Sequence, residues 1–558
     1  MATTAPTRMM KRLLTKEGPM QPKVTIRRLL AVGLAAFALL GAGAVRAAED
    51  AVRYVVQPGD TLIGLGQTLL ENPNHWPTVQ RLNAVADPYR MPIGRILRIP
   101  VSLLRKEPRA ARVVHVSGGA SADGQPLAVD QHVSEGARLV TPAEGFMTLE
   151  LPDGSRLTLQ PQSDVRIDAL HGFKGVDDVQ RATFDVRQGR IETEVKPQAG
   201  PAARYRIHTP TAIIGVRGTS FRIASESEQT RAEMRSGTVA VRGDKPGREI
   251  ALKQGFGLVA RAGQPADAPV PLLAAPDVAS MVTLYERPVM RVQLPPVAGA
   301  VGYRGQIAQD AAFTRIVAET KASVPDLKIA GLPDGAYYLR VRALDSRGLE
   351  GLDADLAVRL KARPEPPFIN APRPNGKAGA GTVDFAWAKA EGAATYRFEI
   401  ARDAGFTDVV TRDHALPDNA AAVPLEAGDY HWRLASTRAD GDRGPWGDPV
   451  GLTVRPPMAE VPPPAFDEDS MLFAWGGEPG QTFDYQFADD AEFTRLVASG
   501  NVTAPELVMP KPAAGAYFLR IRAIDPDGFV GGYSAPQQVI VPAELPAWML
   551  FVPLLILL

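Results

Sequence analysis

The sequence predicts a mainly β, multidomain protein: a small βααβ module, then a β-rich domain, then three β-sandwich repeats. Three observations carry that expectation. From Val113 onward apolar and polar residues alternate in short runs bounded by Gly, Pro and Asp, the two-residue period of half-buried strands. A motif with fixed internal spacing recurs three times in the second half of the chain. Helical patterning centres on the stretch from Leu62 to Asn83, which two strand-like runs flank.

Residues 1–47 read as a signal peptide. Lys23, Arg27 and Arg28 precede the apolar run Leu29 to Leu40, and Val45-Arg46-Ala47 offers small residues at the positions a signal peptidase reads. An uncleaved anchor is the rival reading, although the run is short against the roughly twenty residues that span a bilayer. The segment holds eight basic side chains against Glu17 alone. A chain balanced at 62 basic and 62 acidic residues therefore becomes negative by seven charges once it is removed. That charge argues against nucleic acid as a partner, which needs a basic surface.

Residues 52–101 form the first module. Tyr54 and Val56 alternate as in a strand, Gly59-Asp60 suits a tight turn, and Thr61 suits the start of a helix carrying Leu62, Leu65 and Leu69. Asn74-His75-Trp76-Pro77 opens a second helix with Val79 and Leu82, ending near Asn83. Asp87-Pro88 and Met91-Pro92-Ile93-Gly94 then lead to the strand Ile96-Leu97-Arg98-Ile99-Pro100. Strand, helix, helix, strand with this opening motif and terminal Ile-Pro resembles the LysM family. The resemblance implies a shallow groove for peptidoglycan, a glycan containing N-acetylglucosamine. Carried over by position, Gly59, Asp60, Thr61 and Leu62 form one side and Pro92, Ile93 and Gly94 the other. Backbone groups would bond the acetamido group while apolar side chains cover the sugar. Gly66 replaces the family's usual Ala, and Ile93 is inserted in its usual Pro-Gly. Gly64 and Gly66 should each weaken the first helix by roughly 1 kcal/mol relative to Ala. A module kept only as a structural spacer is the competing reading.

Residues 101 to 111 read as a linker, and residues 112–260 as the β-rich domain. Met147-Thr148-Leu149-Glu150-Leu151 and Arg156-Leu157-Thr158-Leu159 alternate around Pro152-Asp153-Gly154-Ser155, a hairpin signal. Downstream come Thr209-Pro210-Thr211-Ala212 and Val216-Arg217-Gly218-Thr219-Ser220-Phe221. These signatures, in that order, resemble the FecR domain family. Its members include periplasmic parts of inner-membrane regulators that sense an occupied outer-membrane receptor and signal to a sigma factor. Such regulators carry a cytoplasmic domain ahead of a transmembrane helix, whereas fewer than thirty residues precede the apolar run here. Direct sigma-factor control is therefore not expected. A protein-binding platform is, with Arg217 read as a solvated loop charge.

The repeats occupy residues 285–362, 365–456 and 460–543. Phe313, Phe406 and Phe493 follow Asp310, Asp403 and Asp490 by three residues. Tyr337, Tyr430 and Tyr517 each follow the phenylalanine by 24 residues, and Arg340, Arg433 and Arg520 follow three later. Leu294, Trp387 and Trp475 stand 18 or 19 residues upstream of the phenylalanine. Short strands, an early Trp and a late Gly-x-Tyr-x-x-Arg resemble fibronectin type III modules. Alternation places Tyr337, Leu339 and Val341 inward and Arg340 and Arg342 outward. The Trp and Tyr side chains are read as core, and the proline-rich joins as stiff spacers. Residues 460 to 545 carry thirteen acidic against four basic side chains, read as a solvated surface rather than a calcium site. The apolar tail, residues 546–558, is too short to span a bilayer, so membrane contact or a groove on a partner is expected for it.

Chemistry is then narrowed by what the sequence lacks. There is no cysteine, so neither a disulfide framework nor a thiolate nucleophile exists. The seven histidines are scattered, with no His-Glu-x-x-His run, no Gly-x-Ser-x-Gly elbow and no phosphate-binding glycine loop. No catalytic residue, metal ligand or cofactor is assigned, and no enzyme is expected. The expectation is an exported periplasmic or envelope protein. Its first module binds peptidoglycan, while the remaining domains form a platform for other envelope proteins. The alternatives are a signalling component that relays envelope state through the FecR-like domain and, least favoured, a wall-acting hydrolase.

Overall fold

Two short antiparallel strands and two helices build the N-terminal module. β1 (Ala51–Val55) pairs with β2 (Ile96–Pro100), with Tyr54 opposite Leu97. Between them in the chain come α1 (Leu62–Leu69) and α2 (Trp76–Leu82). This computed structural model describes residues 51–197, 204–216, 218–245 and 248–543; the expected signal peptide, Arg217 and the tail 546–558 lie outside them. Thr61 caps α1, its Oγ1 accepting from Gly64 N at 3.0 Å, which satisfies one of the donors that a helix start leaves free. A Cβ on Gly66 would stand 2.9 Å from Pro73 O and 3.1 Å from Trp76 Cβ. The helical propensity lost at Gly66 is therefore exchanged for the close approach of the second helical segment.

Residues 101 to 111 differ from the linker expected. Leu70 and Leu104 form a β-bridge, Arg105 N donates to Leu69 O at 2.8 Å, and Lys106–Pro108 pairs with His171 to Phe173. The reason is a β-hairpin of the next domain, whose tip Phe173-Lys174-Gly175-Val176 reaches into the module. Phe173 and Val179 join Leu69 and Leu104 in one apolar cluster. Lys174 N donates to Arg105 O at 3.0 Å.

The strands from Lys106 to Pro271 make two sheets that close on each other as a barrel. The 19-residue strand Val176–Glu194 belongs to both sheets. Its first part pairs with Asp164–Phe173, and its second with Arg156–Leu159 and Ser220–Ser225. Alternate residues point inward, so that Leu157, Phe184, Ile207, Ile214, Phe221 and Met234 fill the interior.

Each repeat packs a four- or five-stranded sheet on a two- or three-stranded one. The hydroxyls of Tyr337, Tyr430 and Tyr517 donate to the carbonyls of Pro333, Glu426 and Ala513 at 2.8, 3.1 and 3.0 Å, the tyrosine corner of β-sandwiches. Phe313, Phe406 and Phe493 take φ of 54°, 57° and 58°, a region disfavoured for a bulky residue. Two contacts hold them there. The carboxylates of Asp310, Asp403 and Asp490 accept from the backbone N–H of Thr314, Thr407 and Thr494. The guanidinium groups of Arg340, Arg433 and Arg520 lie 3.8, 3.9 and 4.2 Å from the ring centroids. Trp387 is fully buried in its core, while Trp475 is only partly buried. Ion pairs brace the proline-rich joins: Lys361 with Asp442 at 2.9 Å and Lys377 with Asp525 at 2.5 Å. No helix among the described residues is long and apolar enough to cross a membrane.

Gly175 has φ +70°, and a Cβ there would stand 2.5 Å from Leu69 Cδ2. Gly175→Val combines a left-handed backbone with overpacking, so it should destabilise the junction between module and barrel by roughly 1–3 kcal/mol. Calorimetry of the full chain checks this, with limited proteolysis reporting new cleavage between residues 100 and 112.

Candidate functional site

The seven groove residues expected from sequence lie on two neighbouring loops. Leu62 N donates to Pro88 O at 2.8 Å and Gly94 N to Val56 O at 2.9 Å, which hold the 57–62 turn beside the 88–95 loop. Gly59 and Gly94 have φ of +89° and +82° and open space where a Cβ would be. Ile93 is 70% exposed. The other residues serve the module itself. Asp60 accepts from Tyr54 Oη at 2.9 Å and Gln57 N at 2.7 Å, Thr61 caps α1, and the Leu62 side chain is buried in the core. Burial, then the hydrogen bond and charge of Asp60, push the Tyr54 hydroxyl up to about 12. The parts open to a ligand are the backbone at Gly59 and Gly94 and the side chains of Pro92 and Ile93. Sequence reasoning missed Tyr89, which is 67% exposed on the same loop and whose N–H is fixed by Asp87 Oδ1 at 2.9 Å.

A second site was not expected at all. The outer face of one barrel sheet meets the outer face of the larger sheet of the first repeat, and charged side chains fill the seam. Arg342 is buried between Glu192 of the barrel at 2.7 Å, Glu350 at 3.0 Å and Asp353 at 2.5 Å. Arg304 donates to Glu350 Oε1 and to Gln160 Oε1 of the barrel, both at 2.6 Å, and pairs with Glu319. From the barrel, Arg222 donates to Glu233 at 3.2 Å, to Asp353 at 2.9 Å and to the carbonyls of Glu350 and Gly351 at 2.7 and 2.8 Å. Arg190 donates to Glu350 at 2.5 Å, and Arg235 reaches Asp353 at 2.7 Å. One edge of the seam is neutral: His115 Nε2 lies 2.8 Å from Ile316 O, Thr148 Oγ1 donates to Thr314 O at 2.8 Å, and Phe146 packs with Phe313 and Ile316.

Arg340 and Arg342 thus point away from their own core, as alternation predicts, yet are 5% and 1% exposed because the barrel covers them. Burial would raise the seam carboxylates, but the guanidinium groups outweigh it at three of them. Arg342, Arg235 and Arg340 bring Glu192 down to about 2. Arg304 and Arg342 hold Glu350 well below its ordinary range, and Arg342 and Arg222 do the same for Asp353. Glu233 goes the other way, since burial dominates there and the Glu350 charge adds to it against Arg222. Among the described residues the seam is made by guanidinium groups facing carboxylates. It is a recognition surface whose chemistry is ion pairing. Among the described residues no group of His, Cys, Asp and Glu could hold a metal.

The FecR protein family matches residues 137–240, a span lying within the barrel. The chain is also similar to several solved structures. A protein assigned as an anti-sigma factor from Parabacteroides distasonis is 18% identical over 24% of this chain and 59% of its own length, with a TM-score of 0.20. The match thus leaves about two fifths of that protein uncovered. The FN1–FN3 domains of chicken CNTN1 are 12% identical over 46% of this chain and 95% of their own, with a TM-score of 0.20. The fibronectin(III)-like modules of Clostridium thermocellum CbhA are 15% identical over 32% of this chain and 93% of their own, with a TM-score of 0.21. No curated protein matches the chain.

Removing one partner from a buried ion-pair network leaves the others unpaired, so Arg342→Ala should cost about 3–5 kcal/mol in the stability of the barrel and first repeat. Chemical denaturation measures it. Acid should act on the same unit. The contribution of Glu192, lowered from 4.5 to about 2, is full above about pH 4.5 and is lost as pH falls through about 2. Glu350 and Asp353 act in the same direction, while the raised Glu233 adds stability below its ordinary range and loses it as pH rises. A thermal midpoint that falls steadily from about pH 5 to about pH 2 is expected, and the E192Q variant should show a shallower fall.

Proposed function

We propose that this chain is a regulatory component of the cell envelope, in which the FecR-matched barrel senses or relays envelope state and the βααβ module holds it to peptidoglycan. The observation that carries the regulatory reading is the family match across residues 137–240. The geometry supports it in one respect. The barrel is gripped on one side by the module through the hairpin tip at Phe173 and on another by the first repeat through the charged seam. A load or ligand felt by one of these bodies therefore reaches the others without a flexible join. In this reading the second and third repeats extend the platform toward other envelope proteins, and the protein is exported and makes no covalent change to the wall.

Glycan anchoring has its own support. Gly59 and Gly94 leave backbone open on two adjacent loops, with Ile93, Pro92 and Tyr89 exposed around them. Backbone N–H and C=O groups free of side chains suit an acetamido group, and the apolar side chains suit the face of a sugar ring.

Two measurements separate the readings. In a sacculus co-sedimentation assay the full chain should pellet with purified peptidoglycan. The Ile93→Asp and Tyr89→Ala variants should pellet less, and no soluble fragments should appear by mass spectrometry. Absence of pelleting by the unaltered chain overturns the anchor. For the regulatory reading, transcripts from cells lacking the gene should change in a defined set of envelope genes and return on complementation with the full chain. A transcript profile that does not change removes that reading while leaving the anchor intact.

A further inference from the structure

From the phenylalanine onward the three repeats align in number without a gap as far as the docking face, so that face of the first can be compared position by position with the same face of the others. Counting from Phe313, Phe406 and Phe493, the arginine 27 residues on is common to all: Arg340, Arg433 and Arg520. The positions 37 and 40 residues on are not. They are Glu350 and Asp353 in the first repeat, Arg443 and Trp446 in the second, and Val530 and Tyr533 in the third. The equivalence is structural as well, since Glu350, Arg443 and Val530 form the same β-bridge, with Leu344, Thr437 and Ile524 respectively.

In the second and third repeats the aromatic residue closes its own sheet face. Arg433 lies 4.5 Å from the Trp446 ring centroid and Arg520 lies 4.4 Å from that of Tyr533. The first repeat has no aromatic there. Its two carboxylates receive Arg190, Arg222 and Arg235 from the barrel instead. We infer that Glu350 and Asp353 form a recognition code by which the arginine face of the barrel selects the first repeat among three sandwiches of one design, and that the face is thereby closed to outside partners. An arginine or valine at the first position and a ring at the second would take away the carboxylates that Arg190, Arg222 and Arg235 meet across the seam, leaving the barrel guanidinium groups short of partners, which excludes the second and third repeats. The partner this face fits is a β-sandwich sheet presenting two carboxylates three residues apart, and the chain supplies it in cis. The inference rests on the seam alone and stands apart from the envelope role.

The chain has no cysteine, so a reporter pair can be introduced cleanly into the full-length protein. Ser227→Cys on the barrel and Ser323→Cys on the first repeat are both exposed. Spin labels there should give one narrow distance distribution. Installing the third repeat's residues, E350V with D353Y, should broaden it, with the larger share of the narrow component lost. The reverse exchange in the third repeat, V530E with Y533D, should leave it unchanged. A narrow distribution that survives E350V/D353Y overturns the inference. If that variant misfolds, the isosteric pair decides: E350Q with D353N should broaden the distribution, whereas a distribution that stays narrow refutes a pairing code.

Discussion

The structure depends on keeping six guanidinium groups charged in a seam that buries four of them, Arg222, Arg304, Arg340 and Arg342, and half-buries Arg190 and Arg235. Arg190, Arg222, Arg235, Arg304, Arg340 and Arg342 converge on Glu192, Glu233, Glu350 and Asp353, with Glu319 and Asp355 at the edge. Taking one ion out of water costs several kcal/mol, which only close pairing with good geometry returns. Such a seam adds little net stability compared with apolar packing of the same volume. What it supplies is position, because rotating or sliding the two sheets by one residue would leave several charges without a partner.

That constraint organises what lies on either side. The same strand, Val176–Glu194, begins beside the hairpin tip in the βααβ module and ends at Glu192 in the seam. One continuous piece of backbone therefore joins the apolar contact at Phe173 to the ionic contact at Arg342. The two junctions differ in character. The first is a small hydrophobic cluster that tolerates no Cβ at Gly175, and the second is polar and sensitive to pH. Farther along, small groups of ion pairs brace the joins between repeats, Lys377 meeting Asp525 and Asp527 and Arg455 meeting Glu478.

Much of the fold was legible because its signals are local. Strand alternation, the Thr61 cap and the Tyr337, Tyr430 and Tyr517 corners all depend on neighbours a few residues away. At the positions the motif names for a groove, Asp60 and Leu62 spend their side chains on Tyr54 and the core, while Tyr89 projects from a loop that the pattern passed over. The seam was invisible for a different reason. Periodicity says which side of its own sheet Arg342 occupies and says nothing about a second domain lying over that side. A signal did exist, in the departure of Glu350 and Asp353 from the Arg-Trp and Val-Tyr of the sister repeats, but it acquires meaning only when the repeats are compared with one another. The linker expected at residues 101 to 111 failed similarly, because its charged residues hide a strand completed by Phe173.

The distance along the chain between the two halves of the seam sets an order in time. Arg190 and Glu350 are 160 residues apart, so the barrel is complete long before its cover has been made. The last barrel strand ends at Pro271, and at roughly 5–20 residues added per second the arginine face then stands open for about four to sixteen seconds before Glu350 is made. During that interval Arg190, Arg222 and Arg235 stand on the barrel beside Glu192 and Glu233 but without the carboxylates of Glu350 and Asp353, so an acidic polypeptide nearby can take their place. The ordering of domains therefore creates a brief window in which a chaperone or a competing acidic chain has access to a surface that the finished protein never presents.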